Sequence, residues 1–326
     1  MNNRLLWIAG LTVPSLALAA ACGGDVNVVP DVDAGLPDTS VVDGAVKDTS
    51  TKDVSKPDAS DASAADAPDD VVVDAAQDVM SADGGVIVNL QGLVLWLDGN
   101  KGVTLNGNDV TTWADQSGQK NDAKAAKTAP TLTKSAINSL PAVTFTASSA
   151  SGMVVTDAPS LQFGTADYCI AVVSQFDNDP KSAQASSIGT WFGKADMNSG
   201  ILFFGNNIDP KSSMVTAGLF AAENSTTFLG VNNAYNDKKA RLYLLQRTAN
   251  VLYTRVNGAQ VGTLTESAPI SVSAANNDAF IGLFTNMNQD VGALNGDIAE
   301  MIAVKGAVSS GDLSTVESYF KSKYAL

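Results

Sequence analysis

The 326-residue sequence contains no histidine, only two cysteines and only four glutamates. Without histidine, the chain can have no histidine-based catalytic triad, no histidine general base and no histidine ligand for a metal. The two cysteines, Cys22 and Cys169, are too few for a disulfide framework or a cysteine-rich zinc site. Several common classes of enzyme and metal protein are therefore excluded before any motif is considered.

Negative charge is concentrated in one segment of the chain. The formal net charge is −14 at pH 7, and residues 25–85 alone contain 15 aspartates, no glutamate and three lysines. Residues 86–326 are close to neutral. Neither part has the basic patch that a nucleic acid or an anionic bilayer would need, so we expect no nucleic-acid partner.

The first 24 residues have the character of an export signal. A single arginine precedes an apolar run that ends at Leu18 and is shorter than the roughly 20 residues of a transmembrane helix. Small residues then lead to Cys22, which resembles the lipobox of bacterial lipoproteins, where the cysteine thiol receives a diacylglycerol. Ala19 and Ala21 also fit the ordinary cleavage pattern, which would release a soluble chain. We expect a signal peptide over residues 1–21 and lipidation at Cys22.

The expected location follows from this resemblance. Gly23 follows Cys22, so no aspartate stands where inner-membrane retention would be signalled. By similarity to Gram-negative lipoproteins, we expect the protein to be exported and anchored by lipid at the cell envelope, at the outer membrane or cell surface. Two or three acyl chains would hold it stably, whereas one chain binds only marginally.

Residues 22–85 are predicted to be a disordered tether. The segment is dominated by aspartate, valine, alanine and serine, and it contains no aromatic residue. It lacks the large apolar groups that offset chain entropy, and its charges repel one another. The stretch 31–35 begins like a calcium-binding EF-hand loop, but the third acidic position is missing and no glutamate follows.

Residues 86–326 are predicted to form one β domain. Every aromatic residue except Trp7 lies after residue 95. Short apolar runs separated by Gly, Asn, Asp and Pro are typical of a β-sandwich or barrel. Asn257 and Gly258 separate two such runs and predict a tight hairpin, because both residues tolerate positive φ. The predicted strands cover residues 168–173, 241–245, 251–256, 259–264, 279–284 and 298–304.

One helix is predicted at the end of the chain. Ser309 and the residues after it fit a capping start, with Asp312 in the first turn. Lys321 and Lys323 lie in the last turn, where they complement the helix dipole. The apolar stripe of this helix is predicted to pack on the sandwich and consists of Leu313, Val316, Phe320 and Tyr324.

Several segments of the body are similar to bacterial LamG-like domains of the concanavalin A-like lectin/glucanase superfamily. These segments are GLVLWLD at 92–98, VTTWADQSG at 110–118, NDA at 121–123, LPAVTF at 140–145 and GDIAEMIAV at 296–304. The resemblance covers nearly all of residues 90–326. It implies an all-β, antiparallel two-sheet jelly-roll sandwich with a short C-terminal helix. The superfamily includes glycosidases, lectins and adhesion modules, so the fold alone does not decide the function.

The catalytic signature of one branch of that superfamily is missing. Laminarinase-type glycosidases carry Glu-x-Asp-x-x-Glu on one strand, which supplies the nucleophile and the acid/base. The residues two positions after the four glutamates are Ser225, Ala268, Ile302 and Tyr319, and none is aspartate. A pair of aspartates stays open in principle, but no motif marks one. We therefore expect a protein that is not an enzyme.

The ligand-binding candidates are Trp191, Asp177 and Asp179. The two aspartates flank an asparagine and could supply oxygen ligands to calcium, while a nearby tryptophan could stack on a sugar ring. The alternative, which we favour, is a surface turn and a core tryptophan. No obligatory cofactor is expected, and calcium is left open.

Other conspicuous residues are expected to be structural. Glu300 lies in an apolar strand and is expected to cap an edge or to pair with a nearby cation. Asp115 is expected to bond the backbone of its own turn. Trp96 and Trp113 are expected in the core, and Cys169 is expected to be a buried thiol.

The leading hypothesis is a non-enzymatic, surface-tethered lipoprotein whose jelly-roll domain binds carbohydrate or another extracellular ligand. Its partners would be an extracellular glycan or a surface protein, and the membrane through the lipid anchor. One alternative is a structural or protein-adhesion module without a small-ligand site. Another is a glycoside hydrolase, which would need two carboxylates that converge in a groove.

Overall fold

The structure is a computed structural model that describes residues 85–178, 188–196, 200–207, 218–223, 228–231, 235–268, 270–273, 276–286 and 289–326. The predicted signal peptide, the lipidation site Cys22 and the tether, apart from Gly85, lie outside these residues and stay predictions. In chain order, the described elements are α1 (Gly85–Val88), β1 (Leu93–Asp98), β2 (Val103–Asn106), β3 (Asp109–Trp113), β4 (Ala123–Ala125), β5 (Thr131–Ile137), β6 (Leu140–Phe145), β7 (Met153–Val155), β8 (Tyr168–Phe176), β9 (Ile188–Asp196), β10 (Gly200–Asn207), β11 (Gly218–Ala222), β12 (Phe228–Val231), β13 (Arg241–Thr248), β14 (Val251–Val256), β15 (Ala259–Thr265), β16 (Ala279–Ile281), β17 (Leu283–Asn286), β18 (Gln289–Ala293), β19 (Gly296–Lys305) and α2 (Ser310–Tyr324).

The strands pair antiparallel and form the two layers of a sandwich, as predicted. In the first layer, β19 pairs with β8 on one side and with β1 and β6 on the other. This layer continues from β8 through β13 and β14 to β15, and from β6 to β5. The second layer runs β2-β3-β4-β7-β16-β9-β10-β11-β12. A pairing between β3 and β5 connects the two layers at one edge.

The main hydrophobic core lies between the two layers. Alternate residues of each strand face it, which is the period-two pattern of a half-buried sheet. Val172 of β8 and Met301 of β19 contribute from the first layer, and Trp113 of β3 and Phe204 of β10 contribute from the second. A two-layer β-sandwich with a continuous core is therefore the framework on which the polar sites are built.

The outer face of the first layer is covered by helices. A second cluster of buried residues there includes Val173 and Ile302 from the strands, Phe320 and Tyr324 from α2, and Ile87 from α1. Helix α2 begins at the cap predicted from the sequence, because the Ser309 hydroxyl accepts a hydrogen bond from the Asp312 N–H at 3.1 Å. The helix prediction is confirmed. In the described part of the chain, no helix is both long and apolar enough to cross a membrane.

One predicted turn and one predicted strand have different outcomes. Asn257 and Gly258 have φ values of 48° and 82° and connect β14 to β15, which confirms the hairpin. The strand expected over residues 279–284 is instead divided at Gly282, where φ is +74°. The chain turns there so that β16 stays in the second layer, while β17 and β18 form a hairpin against its outer side. Phe284 of β17 packs on Phe203 of β10, with ring centroids 5.5 Å apart.

Candidate functional site

A cavity of about 220 Å³ opens at one end of the sandwich, where β6 and β8 end and β19 begins. Phe145 and Phe176 line it but are only 1% exposed, because their rings face the core. The polar residues that line the cavity are Thr144, Thr146, Gln175, Asp177, Lys238, Asn295 and Asp297. We call this cavity the end pocket.

A row of hydrogen bonds runs across four strands on one side of the end pocket. Asp297 of β19 lies in register with Thr144 of β6 and with Gln175 of β8. The Thr144 hydroxyl donates to Asp297 Oδ1 at 2.5 Å, and Gln175 Nε2 donates to Asp297 Oδ2 at 2.8 Å. The hydroxyl oxygens of Thr144 and Thr133, which belongs to β5, lie 2.6 Å apart. The Asp297 carboxylate is therefore held from both sides.

Another part of the wall of the end pocket is formed by Asp177, which directly follows β8, together with Asn295 and Lys238. The backbone N–H of Asp177 donates to the carbonyl of Asn295, and Asn295 Nδ2 donates to Asp177 Oδ1 at 2.7 Å. Lys238 binds the other oxygen of this carboxylate at 2.6 Å. The hydrogen bond and charge of Asp177, and the charge of Asp297, raise the pKa of the Lys238 ammonium. Lys238 itself is positioned by its backbone N–H, which donates to the carbonyl of Phe176.

The end pocket therefore presents oriented hydrogen-bonding groups of both kinds. Each oxygen of Asp177 and of Asp297 accepts one hydrogen bond or ion pair from the protein, which leaves a further lone pair on each oxygen for a ligand. Lys238 and Asn295 keep N–H groups beyond those they use within the protein. Such a site can bind a ligand that both donates and accepts hydrogen bonds.

The structure separates the three ligand-binding candidates. Asp177 lies in the end pocket with about a third of its side chain exposed. Asp179 lies outside the described residues. Trp191 is fully buried in the core, where its ring stacks on Tyr243 at a centroid distance of 4.3 Å and its Nε1–H donates to Ser174. The favoured alternative, a core tryptophan, thus describes Trp191, and the indole is 0% exposed and offers no face on which a sugar could stack.

Most residues of the end pocket were not singled out from the sequence. Gln175, Lys238 and Asn295 lie in separate parts of the chain and match no motif. Asp297 belongs to a segment used only for the family resemblance. The available signal is that Asn295 and Asp297 flank the start of a strand whose remaining residues are almost all apolar. Polar groups at the ends of neighbouring strands meet when the register brings those ends together.

Glu300 lies in a buried network beneath α2 and is not part of the end pocket. Its carboxylate accepts hydrogen bonds from Trp96 Nε1 at 2.6 Å, from Tyr324 at 2.8 Å and from Tyr319 at 3.0 Å. Lys323 binds it at 2.6 Å. Burial raises the pKa of Glu300, and the negative charge of Asp98 raises this pKa further. The structural interpretation of Glu300 as the partner of a nearby cation is confirmed.

Two further buried carboxylates, Glu223 and Glu266, lie near Tyr168 at the start of β8, which is the end of that strand away from the end pocket. Glu223 accepts hydrogen bonds from Tyr168 at 2.6 Å and from Arg247 at 2.9 Å, and all three side chains are almost completely buried. Glu266 lies beside Glu223 and is 7% exposed. Burial, reinforced by Glu223, raises the pKa of Glu266 to about 8. Glu223 and Glu266 are 0% and 7% exposed, so both carboxylates are almost completely shielded from solvent.

The remaining structural interpretations are also confirmed. Trp96 and Trp113 are buried at 5% and 0% exposure. Asp115 accepts a hydrogen bond from the backbone N–H of Ser117 and so stabilises its own turn. Cys169 is a free, buried thiol.

No metal cluster is found in the described part of the chain, where no group of three or more acidic or cysteine side chains could hold an ion. At Asp177, which was a calcium candidate, the ammonium of Lys238 occupies one carboxylate oxygen and Asn295 the other. The calcium site that the sequence left open also involved Asp179, which lies outside the described residues, so calcium stays open.

Comparison with known proteins gives structural likenesses only. No family model matches the sequence, and no curated protein matches it. Domain 4 of AbnA, a GH43 extracellular arabinanase from Geobacillus stearothermophilus solved with arabinotriose, is 13% identical with a TM-score of 0.49 and matches 70% of this chain and 97% of its own. A Trypanosoma rangeli sialidase is 14% identical with a TM-score of 0.47, and the match spans 71% of this chain but only 33% of the sialidase. The CBM40 of the Ruminococcus gnavus IT-sialidase is 12% identical with a TM-score of 0.41, over 51% of this chain and 92% of that module.

Proposed function

We propose that residues 86–326 form a carbohydrate-binding module without enzymatic activity, and that its ligand binds in the end pocket. The observation that carries this proposal is the open cavity with two carboxylates, two amides, two hydroxyls and an ammonium on its wall. Sugars offer adjacent hydroxyl groups that donate and accept at once, and such groups are matched by oriented carboxylate and amide side chains.

The size of the end pocket suits one sugar residue. Sites for drug-sized ligands are roughly 300–1,000 Å³, whereas this cavity is about 220 Å³. The exposed faces of large aromatic side chains, on which longer glycans commonly stack, do not contribute to the wall, because Phe145 and Phe176 face the core. We therefore propose that the module binds a terminal or single sugar residue of a glycan.

The hydrogen bonding of the two carboxylates favours binding over hydrolysis. Asp177 and Asp297 both line the end pocket, and a pair of carboxylates in a groove is the arrangement that a glycosidase requires. Each of their four oxygens, however, accepts a hydrogen bond or an ion pair from the protein. A glycosidase needs one carboxyl group that donates a proton to the leaving group, whereas all four partners of these oxygens are themselves donors, so the protein uses both side chains as acceptors.

The export signal and Cys22 in the first 24 residues support a location of this module at the cell envelope. We propose that the chain is exported, that Cys22 is lipidated after removal of residues 1–21, and that residues 22–85 hold the module away from the outer membrane. Mass spectrometry of the mature N-terminus tests this, with an acylated Cys22 as the expected result. An unmodified cysteine at the new N-terminus would show ordinary cleavage and a released protein.

The binding proposal is tested with the mature protein on a glycan array, followed by calorimetric titration of each hit. Asp297→Asn preserves the shape of the side chain but removes its charge. Since a hydrogen bond to a charged group contributes about 1.5–3 kcal/mol, we expect affinity to fall about tenfold to a hundredfold. Asp109→Asn, at an exposed position of β3, is the matched control and should leave affinity unchanged.

The same samples distinguish the alternatives. Binding that Asp297→Asn and Asp109→Asn affect equally would place the ligand outside the end pocket. Absence of binding to every glycan would overturn the proposal and favour a protein-adhesion module. Release of reducing sugar from a bound oligosaccharide, lost in Asp297→Asn, would establish a hydrolase instead.

A further inference from the structure

We propose that the end pocket selects a neutral sugar and rejects sugars that carry a carboxylate, such as uronic and sialic acids. This inference rests on the proposed function and adds the chemical class of the ligand. It is carried by the charges on the wall of the cavity and by the partners that those charges already have.

The wall of the end pocket carries more negative than positive charge. Two carboxylates, Asp177 and Asp297, face one ammonium, Lys238. Asp297 is held by Thr144 and Gln175, which are uncharged, so no cation pairs directly with it among the contacts described above. A ligand carboxylate in a cavity this small would lie close to Asp297, which has no direct cationic partner among these contacts, and would be repelled.

The ammonium of Lys238 does not reverse this balance. It lies 2.6 Å from Asp177, so its charge is largely compensated before any ligand arrives. About 70% of its side chain is exposed, which means that water also solvates the charge. An acidic sugar would have to share this ammonium with Asp177 and would remain next to Asp297.

The geometry that commonly recognises a carboxylate is also missing from the wall. The planar guanidinium of arginine binds a carboxylate through two parallel hydrogen bonds, and no arginine is among the described residues that line the cavity. The acceptor oxygens of Asp177 and Asp297 instead match the O–H donors of a neutral polyol. A neutral sugar can use these acceptors, and a carboxylate cannot.

The test compares neutral sugars with related sugars that carry a carboxylate. The mature protein is titrated with the neutral methyl glycoside of each bound sugar and with the corresponding uronic acid, and sialyllactose is compared with lactose. We expect the neutral member to bind at least about tenfold more tightly. The preference should weaken at high salt, because exposed charges are then screened.

Asp177→Asn tests the mechanism, because it removes one negative charge and leaves Lys238 without its partner. The ratio of neutral to acidic affinity should fall at least about tenfold in this variant, and Asp109→Asn should preserve it. A thermal melt of both variants checks that the fold is intact.

Each outcome has a definite consequence. Equal or tighter binding of the acidic sugars would overturn the inference and leave the proposed function standing. A neutral preference that Asp177→Asn does not change would overturn the charge argument. If no sugar of either class binds, the proposed function fails and the inference fails with it.

Discussion

The ammonium of Lys323 binds the carboxylate of Glu300 at 2.6 Å beneath the C-terminal helix. The same ammonium reaches Asp98 at 2.9 Å. Asp98 and Glu300 are cross-strand partners on β1 and β19, so the sheet places two negative charges side by side on a face that α2 covers. Lys323 supplies the positive charge that this face requires, and it does so from the last turn of the helix.

Lys323→Met should strongly destabilise the protein. Loss of one partner from a buried ion pair typically costs about 3–5 kcal/mol, because the remaining charge is left without compensation. Here two carboxylates would remain, and only hydroxyl, indole and amide groups would be left to stabilise them. The free energy of unfolding, measured by urea denaturation, should fall by an amount in this range.

Two further variants define the origin of that loss. Lys134→Met removes an exposed lysine of β5 and should change the free energy of unfolding by less than about 0.5 kcal/mol. Asp98→Asn combined with Lys323→Met should recover part of the lost stability, since one negative charge is removed with the positive one. Equal effects of Lys323→Met and Lys134→Met would contradict a stabilising role for the buried pair.

Much of the fold could be predicted because its signals are local. The Asn257 and Gly258 turn and the Ser309 cap each depend on a few consecutive residues whose backbone preferences are strong. The division at Gly282 was missed because residues 279–284 read as one apolar run. A Cβ on Gly282 would lie only 2.0 Å from the ring of Phe145, and that contact depends on two distant strands.

The end pocket could not be predicted for the same physical reason. Thr144, Gln175 and Asp297 belong to three strands that are far apart in the sequence, and only the register of β6, β19 and β8 brings them into one row. Trp191 shows the converse. Its position beside a polar loop suggested a contact residue, yet the side chain faces inward against Tyr243. Which face of a sheet a residue occupies is set by register, which no short motif encodes.

The thiol of Cys169 should be unreactive in the folded protein. Burial raises its pKa to about 12, so almost no thiolate is present near neutral pH, and the thiolate is the reactive form. We expect no labelling by a maleimide at about pH 8 in the native state and complete labelling in concentrated guanidinium chloride. Peptide mass spectrometry distinguishes Cys169 from Cys22. Rapid labelling of Cys169 in the native protein would show that this face of the sheet opens.

Gly282→Ala should cost more stability than Gly107→Ala. Both glycines have positive φ, +74° and +63°, so both variants carry the backbone penalty of about 1–2 kcal/mol. The new methyl at Gly107 would meet no atom within 4 Å, whereas the one at Gly282 would overlap Phe145. Overpacking adds about 1–3 kcal/mol, which should appear as the difference between the two variants in urea denaturation. Equal losses would mean that the Phe145 ring moves aside freely.

Stability should decrease as the pH rises from about 4.5 to about 8, and Glu266 should account for a distinct part of this decrease. Its pKa is raised from 4.5 in the unfolded chain to about 8 in the folded protein, by burial and by the adjacent carboxylate of Glu223. At this group, the folded state therefore binds more protons than the unfolded state in this range, and the contribution of Glu266 to stability is greatest below the unfolded pKa. One such group contributes a slope of at most about 1.4 kcal/mol per pH unit.

The variant Glu266→Gln has no ionisable group at this position and should flatten the profile of stability against pH. A residual slope should remain from Glu300, whose pKa is also raised. The control variant Asp109→Asn should reproduce the parent profile. If the parent and Glu266→Gln have equal slopes, Glu266 is already ionised in the folded protein at acidic pH.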